Sequence, residues 1–392
     1  MLTTDEQVFI QENIKKDTTR LVLEHHKYPD LDIKKLANQI NIRKKAIFKL
    51  PTWSNNISIF FPSTISWQQC SSEYTAKYKA QLLKGKTIID LTGGFGVDTF
   101  YFAQMFAQVI YVELNTALTE IVTYNNKIFN QKNIEIINQD SLDFIKNYQT
   151  VDVIYLDPAR RDAQQKKIIT LEDSTPNILE IQEMLLSKAN YVLLKTSPML
   201  DIHKAIKDLK KVQSVHIVAV ENECKELLFV LNKNADGNIN LTCVNIQRDG
   251  KVDIAEAKWE ENLNLEYSMP NIYIYDPNKA IHKAGIFNKV GRDFGIKKLA
   301  VNTHLYTSEK LIADFQGRIF QVEKILKPQK KEIQKYLTNG KANLITRNFP
   351  ESVANLKKKW KINDGGDDYL FAVTLENTQK VVLLCKRVEL DS

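Results

Sequence analysis

Between Thr87 and Leu231 the chain alternates short apolar runs with stretches of helical spacing, a pattern that predicts strands separated by helices. Ile88-Ile89 leads into Asp90 and a glycine turn. Gln108-Val-Ile-Tyr-Val-Glu113, Ile134-Glu-Ile-Ile-Asn-Gln-Asp140 and Val151-Asp-Val-Ile-Tyr-Leu-Asp157 read as the next three strands. Helices are expected from about Val97 to Met105, Asn115 to Asn130 and Ser141 to Tyr148, so the order is βαβαβαβ and the sheet is parallel. A fifth strand, Tyr191-Val-Leu-Leu-Lys195, and a helix from about Leu200 to Lys210 come next. Val215 to Val220 and Glu226 to Leu231 then stand so close that only an antiparallel hairpin fits between them.

The flanks read differently. Residues 1–80 are mostly helical, with amphipathic patterns around Glu6 to Ile14, Arg20 to His26 and Ile33 to Ile40, and Thr4 with Gln7 has the spacing of a capping box. Lys49-Leu-Pro-Thr-Trp53 breaks the pattern and opens an irregular section through Pro62. After the polar turn around Gly237, alternating runs at Leu241 to Gln247, Lys251 to Ala255 and Met269 to Pro277, with a helix over Ala280 to Val290, suggest an α+β segment. The last part reads as a helix near Gln329 to Leu337, a strand near Asn343 to Arg347, a helix near Ser352 to Lys359, and paired strands Tyr369 to Leu375 and Val381 to Arg387. The division expected is an N-terminal helical region 1–80, an α/β domain 81–235, an α+β domain 236–319 and a further α+β domain 320–392.

Candidate chemistry gathers at the strand ends. Gly93, Gly94 and Gly96 let the backbone turn sharply where a side chain would meet a ligand. A dinucleotide fingerprint requires a third glycine where this chain has Thr99. The run Asp90-Leu-Thr-Gly-Gly-Phe-Gly-Val-Asp98 instead resembles motif I of the class I S-adenosylmethionine (SAM) methyltransferases, with Thr92 in place of the first glycine. That resemblance implies a Rossmann-like seven-stranded domain and a SAM site built from Asp90, Thr92, Gly93, Gly94, Gly96 and Asp98. Glu113 stands where a carboxylate would accept from both ribose hydroxyls, and Asp140 where this family contacts the adenine amino group. Each acid taken singly is more often a helix cap or a solvated loop charge; it is the ordered series at successive strand ends that points to a site.

Composition narrows the class. The 392 residues carry a formal net charge of +7 and an apolar fraction of 43%, and the length suits two to four folded units. No apolar run approaches the roughly 18 residues of a membrane span, and the N-terminus lacks the basic and apolar parts of a signal peptide, so a cytoplasmic protein is expected. Four cysteines without C-x-x-C spacing give neither a disulfide framework nor a zinc site, and no metal is expected. Lys357-Lys-Lys-Trp360-Lys361 is the strongest basic cluster. Lys358 and Trp360 there read either as a phosphate grip and base stack or as a solvated helix face with Trp360 in the core.

Over nearly its whole length the chain resembles a bacterial family of class I methyltransferases with a small ferredoxin-like domain and a C-terminal THUMP-like domain. The carriers are Gln69 to Ala80, Asp90 to Asp98, Asp157-Pro-Ala-Arg-Arg161, Thr303 to Ser308 and Asp364 to Phe371. THUMP domains belong to RNA-modifying enzymes, so the resemblance implies RNA (tRNA or rRNA) as partner. It also implies that Asp157 and Pro158 orient the methyl acceptor, with the Asp157 carboxylate receiving hydrogen bonds from an amino group. Where amino-group methyltransferases carry a stacking aromatic this chain has Arg160. Arg160 and Arg161 read as phosphate contacts, base-edge contacts or ion-pair partners.

The Asp157-Pro-Ala-Arg run is also similar to that of RNA uracil-C5 methyltransferases, which need a cysteine nucleophile after the fifth strand. Lys195-Thr-Ser-Pro198 supplies none, so a nitrogen or oxygen acceptor is favoured, a base nitrogen first. The alternative is a SAM-dependent methyltransferase acting on a protein or small molecule. Lys195 reads as a strand-end lysine reaching to solvent or as a substrate contact. Ser71, Ser72, Glu73 and Tyr78 either line the site or form a capped helix start.

Overall fold

The computed structural model describes residues 1–158, 170–261, 263–337 and 339–390. Two compact units divide it, one of Met1–Val215 with Lys225–Ile239 and one of His216–Cys224 with Asn240–Ser392.

The first unit begins with helices, the longest of them Ile33–Lys49. That helix outruns its amphipathic pattern and stops where Leu50 precedes Pro51, a residue pair that disfavours helical backbone. The capping box sits one residue earlier than the sequence suggests: Thr3 accepts from the Glu6 N–H, and Glu6 reaches back to the Thr3 N–H at 2.9 Å. Phe9, Ile10, Leu21, Leu36 and Ile40 close this helical part around its own apolar cluster.

Seven strands follow: β1 Thr87–Asp90, β2 Gln108–Glu113, β3 Ile134–Asn138, β4 Val151–Leu156, β5 Ala189–Thr196, β6 Val212–Val220 and β7 Glu223–Asn232. Their order is β3-β2-β1-β4-β5-β7-β6. Strands β1 to β5 pair in parallel, and β7 runs antiparallel to β5. Strands β1, β2 and β4 are buried almost throughout, which is why they appear in the sequence as unbroken apolar runs. Between β6 and β7 only Glu221 and Asn222 intervene, both at positive φ (51° and 59°), as a type I′ hairpin turn requires. This is the class I methyltransferase arrangement that the sequence implies.

In the second unit β8 Asn240–Ile246 and β9 Val252–Lys258 pair antiparallel, and the Glu221 N–H donates to the Ile246 carbonyl at 2.9 Å. A separate seven-stranded sheet consists of β10 Tyr273–Pro277, β11 Lys297–Lys298, β12 Tyr306–Ser308, β13 Gly317–Leu326, β14 Asn343–Arg347, β15 Asp368–Thr374 and β16 Lys380–Arg387. Its order is β11-β12-β10-β13-β16-β15-β14. The single helix expected over Ala280 to Val290 is two, Lys279–Ala284 and Phe287–Asp293, because Gly285 at φ +74° ends the first. Both faces of this sheet are covered: on β15, Leu370 and Ala372 join one core cluster while Phe371 and Val373 join another.

Candidate active site

The turn after β1 is fixed from both sides. Gly93 leaves room for Tyr111, whose ring would lie 2.1 Å from a Cβ at that position, and the Tyr111 hydroxyl donates to the Gly94 carbonyl at 2.7 Å. Gly94 and Gly96 take positive φ, +54° and +77°. Among the described residues a Cβ on Gly94 would meet only the Thr92 carbonyl, at 3.7 Å, which leaves the outer side of the turn open to a ligand. The helix Val97–Phe102 follows at once.

The acids divide into two groups. Asp90 is 1% exposed and holds the turn from within, accepting from the Thr92 N–H at 3.1 Å and the Thr99 hydroxyl at 2.6 Å. Burial raises its pKa to about 7, against the opposing Thr99 hydrogen bond. Asp98 is also buried; its Oδ2 accepts from Ser71 at 2.7 Å and Tyr155 at 2.8 Å. Asp90 and Asp98, both expected at the cofactor, are thus buried: Asp90 holds the turn, and Asp98 ties the following helix to Ser71 and Tyr155.

Glu113 lies at the sheet edge. Its carboxylate accepts from the Gly94 N–H at 2.9 Å and the Asn115 N–H at 2.8 Å. Asp140 caps the helix Ser141–Asn147, its Oδ1 accepting from Leu142 and Asp143 N–H at 2.9 and 3.0 Å. Leu114, beside Glu113, is 67% exposed, an apolar surface at the end of β2 that sequence reading missed.

At the end of β4 the arrangement departs from expectation. Lys195 does not reach to solvent; its side chain is 3% exposed and its Nζ lies 2.5 Å from Asp157 Oδ2. The Asp157 carboxylate is thus not a bare acceptor. Behind this pair Lys79, with a fully buried side chain, lies 3.0 Å from Asp98 Oδ1 and 3.0 Å from Glu226 Oε1. Burial alone would lower the Lys79 pKa, but Asp98, Glu226 and Asp157 outweigh it and raise it. Asp98 is the counterpart: burial would raise its pKa, and Lys79 and Lys195 bring it below the ordinary value. Ser71 bridges the two lysines, while Ser72 caps the helix Glu73–Leu82. Glu73 turns away and accepts from Thr52 and Lys77, whereas Ser71 joins the network. Lys79 and Glu226 were not legible as site residues. The available signal was that Lys79 follows Ala76 by three and precedes Ala80 on the core-facing side of its helix.

In the second unit Trp360 is fully buried, packed with Leu356, Ile333 and Leu370. The reading of Trp360 as a base-stacking residue is corrected accordingly; Lys358 on the same helix is exposed. Arg160 and Arg161 lie outside the described residues. Among the described residues no group of side chains suits a metal, and no helix is long and apolar enough to cross a membrane.

Three family models match the chain: ribosomal RNA adenine dimethylase over residues 75–186, a ferredoxin-like domain over 273–315, and a THUMP domain-like model over 317–387. A crystal structure from Porphyromonas gingivalis W83, described as that of a candidate methyltransferase, superposes with a TM-score of 0.86 at 28% identity and covers 98% of each chain. An uncharacterized RNA methyltransferase from Thermotoga maritima is 39% identical over 88 residues, 22% of this chain. The chain spans only 20% of that curated relative's length. Fold and matches together give the chain a class I methyltransferase domain. Segments that match a ferredoxin-like and a THUMP domain-like model follow it, in the order that the motifs imply.

Proposed function

We propose that the protein transfers a methyl group from SAM directly and in line to RNA, either tRNA or rRNA, with Asp157 and Pro158 at the acceptor end of the site. The observation that carries this reading is the row of Gly94, Glu113 and Asp157 along the carboxyl edge of a parallel sheet, where such sheets bind ligands. SAM, when bound, supplies a methyl group already activated on a sulfonium. The residues therefore have only to bind, align and exclude water.

Thr92, Gly93, Gly94 and Gly96 allow close backbone approach. Glu113 exchanges its backbone partners for ribose hydroxyls, Leu114 offers an apolar flank to a purine, and Asp140 accepts from the adenine amino group. RNA as substrate draws support from the ribosomal RNA adenine dimethylase and THUMP domain-like matches. Lys358, Arg160 and Arg161 are its proposed phosphate contacts. A base nitrogen is the acceptor that the dimethylase match favours, whereas the Lys195 contact on Asp157 favours an oxygen. The four-part organisation, 1–80, 81–235, 236–319 and 320–392, and a cytoplasmic location are proposed with this function, the last two parts being joined in one sheet through β13.

The test is transfer of labelled methyl from SAM to fractionated RNA by wild type and Asp157→Ala. Label in one RNA fraction with wild type alone is expected, with SAM binding by the variant within about tenfold. Calorimetric SAM binding without label in any RNA fraction would sink the RNA reading and favour a protein or small-molecule substrate.

A further inference from the structure

Lys79, Asp157, Lys195 and Glu226 come from the helix before β1, the end of β4, the end of β5 and the start of β7, and they meet in one group. Lys79 Nζ lies 3.0 and 3.1 Å from the two Glu226 oxygens, and Lys195 Nζ lies 2.5 Å from Asp157 Oδ2 and 4.0 Å from Glu226 Oε2. Side-chain exposure is 0% for Lys79, 3% for Lys195 and Glu226, and 22% for Asp157. Burying four charges is a costly way to build a core, since apolar packing of equal volume is commonly as stable or more so. This group stands at the sheet edge where ligands bind, and its one partly exposed member is Asp157.

We propose that the group selects a hydroxyl as methyl acceptor, which on RNA is the ribose 2′-OH. The proposal rests on the RNA methyl-transfer reading above and names its acceptor. At Asp157 a carboxylate and an ammonium stand side by side, one accepting and one donating. An exocyclic base amine matches the carboxylate but offers the ammonium only the lone pair that must attack the methyl. A hydroxyl matches both, because it donates one hydrogen and has two lone pairs. It donates to Asp157, accepts from Lys195 with one lone pair and attacks with the other.

The group already holds one hydroxyl in this manner. Ser71 Oγ accepts from Lys79 at 2.8 Å and from Lys195 at 3.1 Å and donates to Asp98 Oδ2 at 2.7 Å. Lys195 has three N–H donors; among the described residues two go to Asp157 and Ser71, and Glu226 at 4.0 Å is beyond hydrogen-bond reach, which leaves one for a substrate oxygen.

The transfer balances. A C–O bond forms as the methyl C–S bond of the sulfonium breaks, and the C–S electron pair stays on sulfur to give a neutral thioether. The O–H proton becomes strongly acidic as the oxygen gains its third bond, and it passes to the Asp157 carboxylate and then to water. Lys195 keeps its proton throughout. Glu226 and Lys79, behind it, are positioning residues.

The experiment uses the full chain, methyl-labelled SAM and total RNA, with wild type, Lys195→Met and Lys195→Arg, followed by alkaline hydrolysis of the product. A 2′-O-methyl group blocks cleavage of the adjoining phosphodiester, so wild-type label is expected in alkali-resistant dinucleotides. Lys195→Met should lose on the order of a hundredfold in rate, with Lys195→Arg between the two. Label released in mononucleotides would overturn the hydroxyl acceptor and leave RNA methyl transfer standing. Absence of label from all RNA would overturn that reading and this one together. The wild-type digest decides the matter even if a variant fails to fold.

A readout apart from turnover is calorimetric binding, without SAM, of an RNA oligonucleotide carrying the labelled site and of the same oligonucleotide with a 2′-deoxy nucleotide there. Wild type should bind the deoxy form about tenfold more weakly and Lys195→Met should bind the two alike. Equal binding of both by wild type would overturn the proposal.

Discussion

The backbone N–H of Asp157 donates to the side-chain Oγ1 of Thr92 at 2.7 Å, so the residue that replaces a glycine in the turn after β1 holds the end of β4. Thr92→Val keeps the shape and removes the acceptor. We expect a loss of about 1–2 kcal/mol in urea unfolding and a fall in kcat larger than any change in KM for SAM. Lost stability with unchanged kcat would reduce the contact to a structural tie.

Lys79 is the cation on which two buried acids depend. Lys79→Met should destabilise the protein by about 3–5 kcal/mol, because Asp98 and Glu226 lose their nearest positive charge. Adding Glu226→Gln to it should restore part of that loss. Denaturant titration of the single and double variants checks this, and additive losses would show that the two residues do not form a unit.

Asp90 gives a pH dependence with a definite sign. Its folded pKa, about 7, lies above the ordinary carboxyl value, so the folded state binds its proton more tightly than the unfolded chain does. This contribution is complete below the unfolded pKa and declines as pH rises through the folded one, by roughly 1.4 kcal/mol per pH unit across the window. Stability of wild type minus that of Asp90→Asn, measured by denaturation from pH 4 to pH 8, should therefore fall with rising pH and level off above 7. A flat difference would place the Asp90 pKa at its ordinary value.

Trp360 and Lys358 should separate cleanly. Trp360→Phe is expected to reduce stability and leave RNA affinity unchanged, since the indole lies wholly in the core. Lys358→Ala should leave stability unchanged, weaken RNA binding and lower its salt dependence by about one unit of slope. Fluorescence titration over a range of salt distinguishes the two, and an unaltered slope in Lys358→Ala would remove that lysine from the interface.

Much of the α/β fold is legible in the chain because strands buried on both faces leave unbroken apolar runs, and because Gly93, Gly94 and Gly96 mark the turn. The edge acid Asp157 was legible too, as the end of such a run. Of its lysines, Lys195 was legible only as one of two readings, and Lys79 was not legible. Lys79 sits on an amphipathic helix where lysine usually serves solvent, and its partner Glu226 lies 147 residues away, so only the closed sheet brings them together. The Lys357-Lys-Lys-Trp360-Lys361 run was ambiguous by composition. The spacing of Leu356 and Trp360, four residues apart on one helix face, is what puts the ring inside.

Strand β13 has β10 on one side and β16 on the other. The segments matched separately as ferredoxin-like and THUMP domain-like, 273–315 and 317–387, thus share a single hydrogen-bonded sheet with no seam between residues 315 and 317. Cutting the chain there would bare the whole length of β10 to any extended peptide that could pair with it. What two sequence models divide is, mechanically, one slab that should melt in a single step and be transplantable only as a whole.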